Sequence, residues 1–360
     1  MIMEDGEARK IAALRRKLLA WYTHSRRDLP WRRSHDPYAI WVSEIMLQQT
    51  RVAVVVDRFC TFLERFPTLT ILALADEQEV LAAWSGLGYY RRARMLHKAA
   101  QFVAKHHEGN LHANAEALRT LPGIGAYTAA AIASIAHGEC VAVVDGNVER
   151  VLCRVQGWDM LSRTRVGTLK RKIAALAARL VDPAHPGDFN QAIMELGATV
   201  CTPRNPSCLV CPISRECKTR GEHRTAPRPP MLSREIAHAL AVRSSGRARR
   251  EGVDRREILL EQRAPEQTVM AGLWELPALR DAVVPEPQLR LTVRHAIMQV
   301  NYYVRIRTVL EEDIDTLTIC GGQRRWVRLD QAAEMALTGL TRKVLKRAQM
   351  LPAVSSTIAP

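Results

Sequence analysis

Four cysteines lie close together near the middle of the chain, in the spacing C-x6-C-x2-C-x5-C. Half of the eight cysteines therefore fall within seventeen residues, which is improbable for unrelated core side chains. Thiols grouped in this way usually hold a metal or a cluster. Four-thiolate zinc sites more often show two C-x2-C pairs, whereas only one such pair is present here. The pattern favours a 4Fe-4S cluster, with zinc as the alternative, held by Cys201, Cys208, Cys211 and Cys217.

The remaining cysteines are scattered, and we interpret them as buried free thiols: Cys60, Cys140, Cys153 and Cys320. The N-terminal segment MIMEDGEARK is acidic and runs into a charged helical pattern, which is unlike a signal peptide. No apolar run is long enough to span a membrane. We therefore expect a cytoplasmic protein in a reducing compartment, with no membrane partner.

The formal net charge is +15, from 52 Lys and Arg against 37 Asp and Glu. An excess of this size indicates a polyanionic partner, although many basic proteins bind no nucleic acid. At 360 residues the chain is long enough for two or more domains.

The hydrophobic pattern changes its period about two thirds of the way along the chain. Apolar residues first recur at helical spacing, in residues 8–22, 38–66, 77–105, 115–137, 147–157 and 166–181. Short strand-like segments follow, at 235–243, 256–262, 290–295, 300–310 and 324–329, with a charged hairpin loop at 243–257 and a closing helix near 330–350. We predict a mainly α domain over residues 1–220, a proline-rich linker over 221–234, and an α+β domain over 235–360.

Residues 118–136 read LRTLPGIGAYTAAAIASIA. We expect a helix to end before Pro122 and a new helix to begin near Tyr127, with Gly123 and Gly125 in a tight hairpin. The glycines permit positive φ and a close backbone approach, and the unpaired amides of the second helix are a natural seat for a phosphate. The whole string favours this helix-hairpin-helix over an ordinary turn between two core helices.

Two carboxylates stand out on physical grounds. If residues 38–52 are helical, Glu44 lies on an apolar stripe with Ile40, Trp41 and Leu47, so burial should raise its pKa toward neutrality. Asp145 follows an apolar run and precedes a helix, where it can act as an N-cap and stay ionised beside helix N–H groups. Carboxyl groups with opposed pKa shifts suit sugar–base cleavage.

Together the hairpin, Asp145 and the cysteine spacing resemble the iron–sulfur helix-hairpin-helix DNA glycosylases. The strings LPWR (29–32), WVSEIMLQQT (41–50) and GLGYYRRA (86–93) are similar to the adenine DNA glycosylase (MutY) branch of that family. The later strings AGLWELP (271–277) and WVRLDQ (326–331) look like its C-terminal Nudix-like domain. The resemblance implies two helical subdomains with a 4Fe-4S cluster, followed by a Nudix-like α+β domain.

For activity, the resemblance implies excision of adenine opposite 8-oxoguanine or guanine in duplex DNA, by a monomer. Glu44 would protonate adenine at N7, Asp145 would stabilise the oxocarbenium-like sugar, and Asn147 would help to organise the site. Relatives resembling endonuclease III have a lysine in place of Tyr127, and no lysine occurs between Lys105 and Lys170. The expected enzyme is therefore monofunctional, without Schiff-base chemistry at the sugar.

The resemblance also implies a set of residues that contact DNA or the extruded base: Arg27, Leu29, Trp31, Gln49, Thr50, Leu87, Gly88, Tyr89, Gly123, Gly125 and Gln191. Of these, Gln49, Leu87 and Tyr89 would wedge into the base stack. Trp31 has an alternative as plain packing. The neighbouring Arg91, Arg92 and Arg94 are predicted to contact phosphates, or else to form a solvated helix face.

The chain departs from this family in its C-terminal part. After Val293, Arg294 and His295, the segment 297–299 reads Ile-Met-Gln where the family usually has Phe-Ser-His to read 8-oxoguanine. Adenine excision is therefore better supported than a preference for 8-oxoguanine. The metal box R-E-x-x-E-E is also missing, which favours substrate checking over pyrophosphatase activity. Two other functions stay open, namely a glycosylase/lyase or thymine-mismatch glycosylase, and a non-catalytic iron–sulfur DNA-binding protein.

Overall fold

A computed structural model of the chain describes residues 5–159, 166–223, 229–244, 256–316 and 322–351. It divides into two compact units: Met1–Leu74 with Met95–Pro227, and Ala75–Arg94 with Arg228–Pro360. The second unit thus includes a short segment from the N-terminal half, which our prediction had placed in the helical domain. Tyr90 Oη donates to the carbonyl of Leu337 at 3.3 Å within this unit.

Helices dominate the chain up to the cysteine cluster. They are α1 (Asp5–Ser25), α2 (Pro37–Leu47), α3 (Val52–Arg65), α4 (Leu69–Leu74), α5 (Glu77–Ala83), α6 (Arg91–His106), α7 (Ala115–Leu118), α8 (Ala126–His137), α9 (Gly146–Gln156), α10 (Val166–Leu180) and α11 (Pro186–Thr199). Two predicted segments are each split into two helices. Gln49, with φ 57°, lies between α2 and α3, and residues 86–89 form a turn between α5 and α6.

One core of the first unit lies between α1, α9, α10 and α11, around the buried side chains of Leu18, Leu152 and Phe189. Helices α9 and α11 approach closely because Gly197 has no side chain. A Cβ atom there would lie 2.7 Å from the Cβ of Asn147. This contact brings the start of α9 against α11, and both helices supply side chains to the pocket described below.

The second unit is an α+β domain, as predicted. Its strands are β1 (Leu232–Ser244), β2 (Arg256–Gln262), β3 (Trp274–Glu275), β4 (Ala278–Leu279), β5 (Leu289–Ile297), β6 (Val300–Val309) and β7 (Arg324–Arg328). The sheet has the order β3-β2-β1-β6-β5, with β4 paired to β1 and β7 to β2. Only the β1–β6 pair is parallel among these named strands. Strand β1 begins at Leu232, three residues before the predicted start of the α+β domain at residue 235.

Two details of the second unit differ from the prediction. The closing helix is broken into α12 (Leu329–Glu334) and α13 (Gly339–Arg347), because Thr338 caps a new helix by accepting from the amide of Thr341 at 3.3 Å. Both helices pack on the sheet through buried residues, such as Leu329 of α12 and Val344 of α13. Most of the predicted hairpin loop, residues 245–255, lies outside the described residues.

The interpretation of the scattered cysteines was partly wrong. Cys153 is buried, and burial raises the pKa of its thiol to about 11, but Cys60 and Cys140 are exposed. Cys60 lies on α3, whose buried stripe runs through Val55, Phe59 and Phe62, so its thiol falls just off that stripe. Cys320 lies outside the described residues. Within the described part of the chain, every helix is too short or too polar to cross a membrane.

Candidate active site and cysteine cage

A cavity of about 580 Å³ opens in the first unit between α2, α8, the start of α9 and α11. Ten of the predicted site residues line it: Arg27, Leu29, Trp31, Glu44, Gln49, Thr50, Tyr127, Asp145, Asn147 and Gln191. The other five lie elsewhere: Leu87, Gly88, Tyr89, Gly123 and Gly125. Both predicted carboxylates and the residues predicted to surround the extruded adenine therefore line the same cavity.

Glu44 lies on the buried side of α2. The helix begins at Pro37, and Asp36 caps it by accepting hydrogen bonds from the amides of Tyr38 and Ala39. The carboxyl of Glu44 is only 6% exposed. Burial raises the pKa of Glu44 to about 7, with a smaller contribution from Asp145, while the hydrogen bond from Tyr127 and the charge of Arg32 oppose the rise. Near neutral pH this group is therefore present in both its protonated and its ionised form.

Tyr127 lies in the first turn of α8, directly after the glycine hairpin. Its Oη donates to Glu44 Oε2 at 2.6 Å and lies 3.4 Å from the sulfur of Met194. Burial, together with the neighbouring Glu44, raises the pKa of Tyr127 well above its ordinary value. The phenol therefore keeps its proton, and the hydrogen bond that it donates fixes the orientation of the Glu44 carboxyl.

Asp145 caps α9, and its two carboxylate oxygens have different partners. Oδ1 accepts from the amide of Val148 at 2.7 Å, and Oδ2 accepts from Asn147 Nδ2 at 2.9 Å. Both donors hold the carboxylate in place. The same cavity is therefore lined by the capping carboxylate of Asp145 and by the carboxyl of Glu44, whose pKa is raised.

Arg150, which sequence reasoning missed, connects this capping site to the cysteine loop. Its Nη2 donates to Asn147 Oδ1 at 2.8 Å and to the carbonyl of Gly197 at 2.7 Å. Its Nε donates to the carbonyl of Cys201 at 2.9 Å. Asn147 is thereby oriented so that its amide nitrogen faces Asp145. No local pattern reveals this residue, since two of its partners, Gly197 and Cys201, lie about fifty positions further along the chain.

A buried ion cluster, also missed, forms another wall of the cavity. Arg27 donates to both carboxylate oxygens of Glu195 at 2.7 Å, and Arg32 Nη2 donates to Oε2 at 2.8 Å. Burial alone would raise the pKa of Glu195, but these hydrogen bonds and the charge of Arg32 outweigh it and lower the value to about 2. The only signal in the sequence is a single carboxylate within the apolar run of α11.

Two of the residues predicted to contact the extruded base, Leu29 and Trp31, also belong to the core. Leu29 and Trp31 line the cavity but are only 6% and 7% exposed. The ring of Trp31 packs edge-on against Phe59, with centroids 5.5 Å apart. The packing role and the pocket-lining role of Trp31 therefore coexist.

The glycine hairpin lies outside the cavity, and its two glycines differ. Gly123 has φ 76°, and a Cβ there would meet Met95 Cβ at 2.8 Å, so glycine is required. Gly125 has φ −88° and is the N-cap of α8, so only Gly123 of the two uses the positive φ that glycine permits. A Cβ on Gly125 would meet nothing within 4 Å, so the backbone is open to an approaching group.

The cysteines of the cluster come together. Cys201, Cys208, Cys211 and Cys217 line one small cavity with Arg154 and Arg220. Arg154 Nη1 lies 3.3 Å from Cys201 Sγ, and the amide of Arg220 lies 3.4 Å from Cys217 Sγ. Burial raises the pKa of Cys211 to about 11. Among the residues that the structure describes, no three Cys, His, Asp or Glu side chains converge as ligands of a single ion would.

The helical unit matches known proteins of one class. Residues 42–177 match the family described as HhH-GPD superfamily base excision DNA repair protein. A solved structure titled as a thermostable thymine-DNA glycosylase is similar with a TM-score of 0.54 at 29% identity, covering 60% of this chain and 99% of its own. The fold of this unit is thus that of a helix-hairpin-helix base excision repair protein.

Curated relatives narrow this class. The adenine DNA glycosylase of Homo sapiens is 49% identical over 222 residues, which are 59% of this chain and 40% of that protein. The adenine DNA glycosylase of Mycolicibacterium smegmatis is 44% identical over 205 residues, 57% of this chain and 68% of that protein. This chain belongs to the adenine DNA glycosylase family. It spans about half the length of several relatives it matches, for example 52% of the Arabidopsis thaliana protein.

Proposed function

We propose that the protein is a monofunctional DNA glycosylase that excises adenine opposite 8-oxoguanine or guanine in duplex DNA. The observation that carries the proposal is one cavity lined both by the buried Glu44, with a pKa raised to about 7, and by the capping carboxylate of Asp145. A general acid poised near neutral pH and a fixed anion are the two groups that N-glycosidic cleavage of a purine requires.

The proposed reaction has the following steps. Glu44, held by Tyr127, gives its proton to N7 of the extruded adenine. The bond between sugar C1′ and N9 breaks, and its electron pair leaves with the base. Asp145 stabilises the positive charge on the sugar, water adds to C1′, and the proton released returns to Glu44. No lysine lines the described cavity, so this scheme forms no Schiff base.

The polar wall of the cavity suits an extruded base. The ion cluster of Glu195, Arg27 and Arg32 is already satisfied internally, so it forms a rigid surface rather than a mobile charge. Gln191, on the same helix as Glu195, offers an amide that can donate and accept on a purine edge. Leu29 and Trp31 supply apolar surface against the ring faces.

The hairpin and the basic surface would hold the DNA. The first amides of α8 have no carbonyl partner within the helix, and the open space at Gly125 lets a phosphate approach them. This grip reads no sequence, which suits an enzyme that must survey any duplex. The net charge of +15 supplies the non-specific part of the affinity.

For the cofactor, we propose a 4Fe-4S cluster held by Cys201, Cys208, Cys211 and Cys217. The cage fits it: four thiols surround one cavity, and hydrogen-bond donors from Arg154 and Arg220 face two of the sulfurs. The cluster would supply a structural cross-link that orders the loop. Because Arg150 donates to the carbonyl of Cys201, an ordered loop would also fix Arg150, which orients Asn147.

The metal content tests this cage. We expect about four iron and four sulfide per chain after anaerobic purification. Cys211→Ala should lose both, since three thiolates do not complete the ligand set. Cys140→Ala, a change of an exposed cysteine outside the cage, should keep them. Zinc in place of iron, or unchanged iron in Cys211→Ala, would contradict the proposal.

The substrate panel tests the activity. We expect single-turnover base release from duplexes with adenine opposite 8-oxoguanine and opposite guanine, and none from thymine opposite guanine or from thymine glycol. Borohydride should trap no protein–DNA adduct. Base release from the thymine mismatch would instead support the activity named for the structural relative. Borohydride trapping would support a lyase, and the absence of any base release a non-catalytic DNA-binding protein.

The same panel measures the preference between the two adenine mispairs. The β5–β6 turn places Met298 at φ 54°, with 74% of the side chain exposed. Gln299 is exposed beside it, and its carbonyl accepts from the amide of Leu232 at 2.9 Å. A thioether and one amide offer fewer hydrogen bonds than a hydroxyl and an imidazole. We therefore expect the two adenine mispairs to differ little in rate.

A further inference from the structure

The turn at residues 86–89 has an unusual backbone. Gly86, Gly88 and Tyr89 all have positive φ, of 97°, 68° and 47°. Glycine adopts such angles freely, but a tyrosine does so only where its surroundings impose it. The side chain of Tyr89 is 51% exposed, whereas Leu87, beside it in the turn, is only 4% exposed. The strain therefore presents one aromatic ring, and not its apolar neighbour, at the surface.

Arg92 is the residue that holds this conformation. Its Nη2 donates to the carbonyls of both Leu87 and Gly88 at 3.1 Å. Its guanidinium also lies against two aromatic rings, 5.5 Å from the centroid of Trp84 and 5.5 Å from that of Tyr89. The planar guanidinium is thus in contact with the backbone and with the exposed ring of the same turn.

Trp84 completes the support. It is fully buried, and its Nε1 donates to the carbonyl of Gly88 at 3.1 Å, so that this carbonyl accepts from two side chains. The turn is therefore fastened to an immobile part of the second unit. Arg92 lies between that fixed indole and the exposed ring.

The three neighbouring arginines of this segment differ in their partners. Arg92 was expected to contact phosphate, but its guanidinium is occupied by the turn, and Arg94 is occupied by Glu77 and the carbonyl of Ala271. Arg91, which is exposed, is the member of the three presented to solvent.

We propose that Arg92 is a positioning residue that pre-forms the strained turn and holds the ring of Tyr89 outward, ready to enter the base stack of duplex DNA. The inference rests on the proposed function, in which adenine leaves the duplex before it is excised. Lysine cannot replace Arg92 here, since a single ammonium group lacks the planar face that stacks on both rings.

The test compares unstacking of DNA with excision. A duplex with 2-aminopurine next to the target adenine reports unstacking by its fluorescence, here measured with the Glu44→Gln protein so that no base is lost. Adding Arg92→Lys should reduce the fluorescence change about tenfold, as expected for loss of a coupled contact. Arg91→Gln, the control, removes an exposed charge from the same helix and should weaken binding without changing the unstacking signal.

A double-mutant cycle separates positioning from mere folding. With Tyr89→Ala already present, Arg92→Lys should cause little further loss of unstacking or of single-turnover rate, because Arg92 acts through Tyr89. Equal losses in both backgrounds would overturn the proposal. Absence of base release by the unaltered protein would instead refute the proposed function.

Discussion

Glu44→Gln should lower the single-turnover rate constant of adenine release by about 10²–10⁴-fold and leave DNA binding almost unchanged. Glutamine keeps the size of the side chain and can still accept the hydrogen bond from Tyr127, but it has no proton to give to the base. Glu44 is 6% exposed and lines the cavity, whereas the glycines of the hairpin that would hold the phosphate do not line it, so affinity should not suffer. The measurement is base release and equilibrium binding on the same duplex.

The pH profile gives the same prediction a second readout. The rate of base release should fall as the pH rises through about 7, because Glu44 must be protonated to act as the acid. Tyr127→Phe removes a hydrogen bond that lowers the pKa of Glu44, so the alkaline fall should move to higher pH. An alkaline fall at the same pH in both proteins, or a Glu44→Gln protein that still excises, would refute the role of Glu44.

Glu44→Gln should raise the stability of the protein at alkaline pH, although it removes the activity. The folded-state pKa of Glu44 lies above its ordinary value of 4.5, so its contribution to stability is complete below pH 4.5 and is lost as the pH rises toward 7. The loss is on the order of 3 kcal/mol. Glu44→Gln should therefore be more stable than the unaltered protein at pH 8, with the difference shrinking at pH 5. Urea unfolding at the two pH values measures it.

Glu195→Gln should destabilise the protein by about 3–5 kcal/mol at pH 7, because it leaves the largely buried guanidinium of Arg32 without its counter-charge. The carboxylate is 1% exposed, and Arg32 is only 11% exposed, so water cannot replace the lost partner. Base release should fall as well, since Arg27 and Arg32 line the cavity and would rearrange. Chemical denaturation at fixed pH measures the free energy of unfolding.

Measurements at acid pH test the direction of the stability effect of Glu195. The pKa of Glu195 is lowered to about 2, so its contribution to stability is present above its ordinary value of 4.5 and is lost as the pH falls toward 2. The unaltered protein and Glu195→Gln should therefore converge in stability at strongly acid pH. Glu64→Gln removes the same charge from an exposed position on α3 and should change stability little. Equal effects of the two substitutions would show that the ion cluster contributes nothing specific.

Several site residues were predictable because their environment is set by nearby residues in the chain. The apolar stripe of one helix identified the burial of Glu44, and an apolar run followed by a helix start identified Asp145 as a cap. The hairpin string located the start of α8 and so the position of Tyr127. In each case the deciding contacts lie within a few residues, which periodicity and capping preferences describe.

Other features could not be predicted from the sequence, because their deciding contacts join residues that are far apart in the chain. Glu195 pairs with Arg27 and Arg32 across more than 160 positions, and Arg150 meets Cys201 across 51. The exposure of Cys60 and the break between α12 and α13 likewise depend on which neighbours fill the core. Local pattern carries no record of such partners.

By itself, the sequence determined the helical first unit, the α+β second unit, the cysteine grouping and the two carboxylates, since helix periodicity, turn residues and ligand spacing are local properties. Only the tertiary structure decided which charges are neutralised in the cavity wall, which hairpin glycine needs positive φ, and how Arg92 holds the turn that carries Tyr89. Those outcomes depend on burial and on partners from distant parts of the chain, and the energies of desolvation and pairing exist only once the chain has folded.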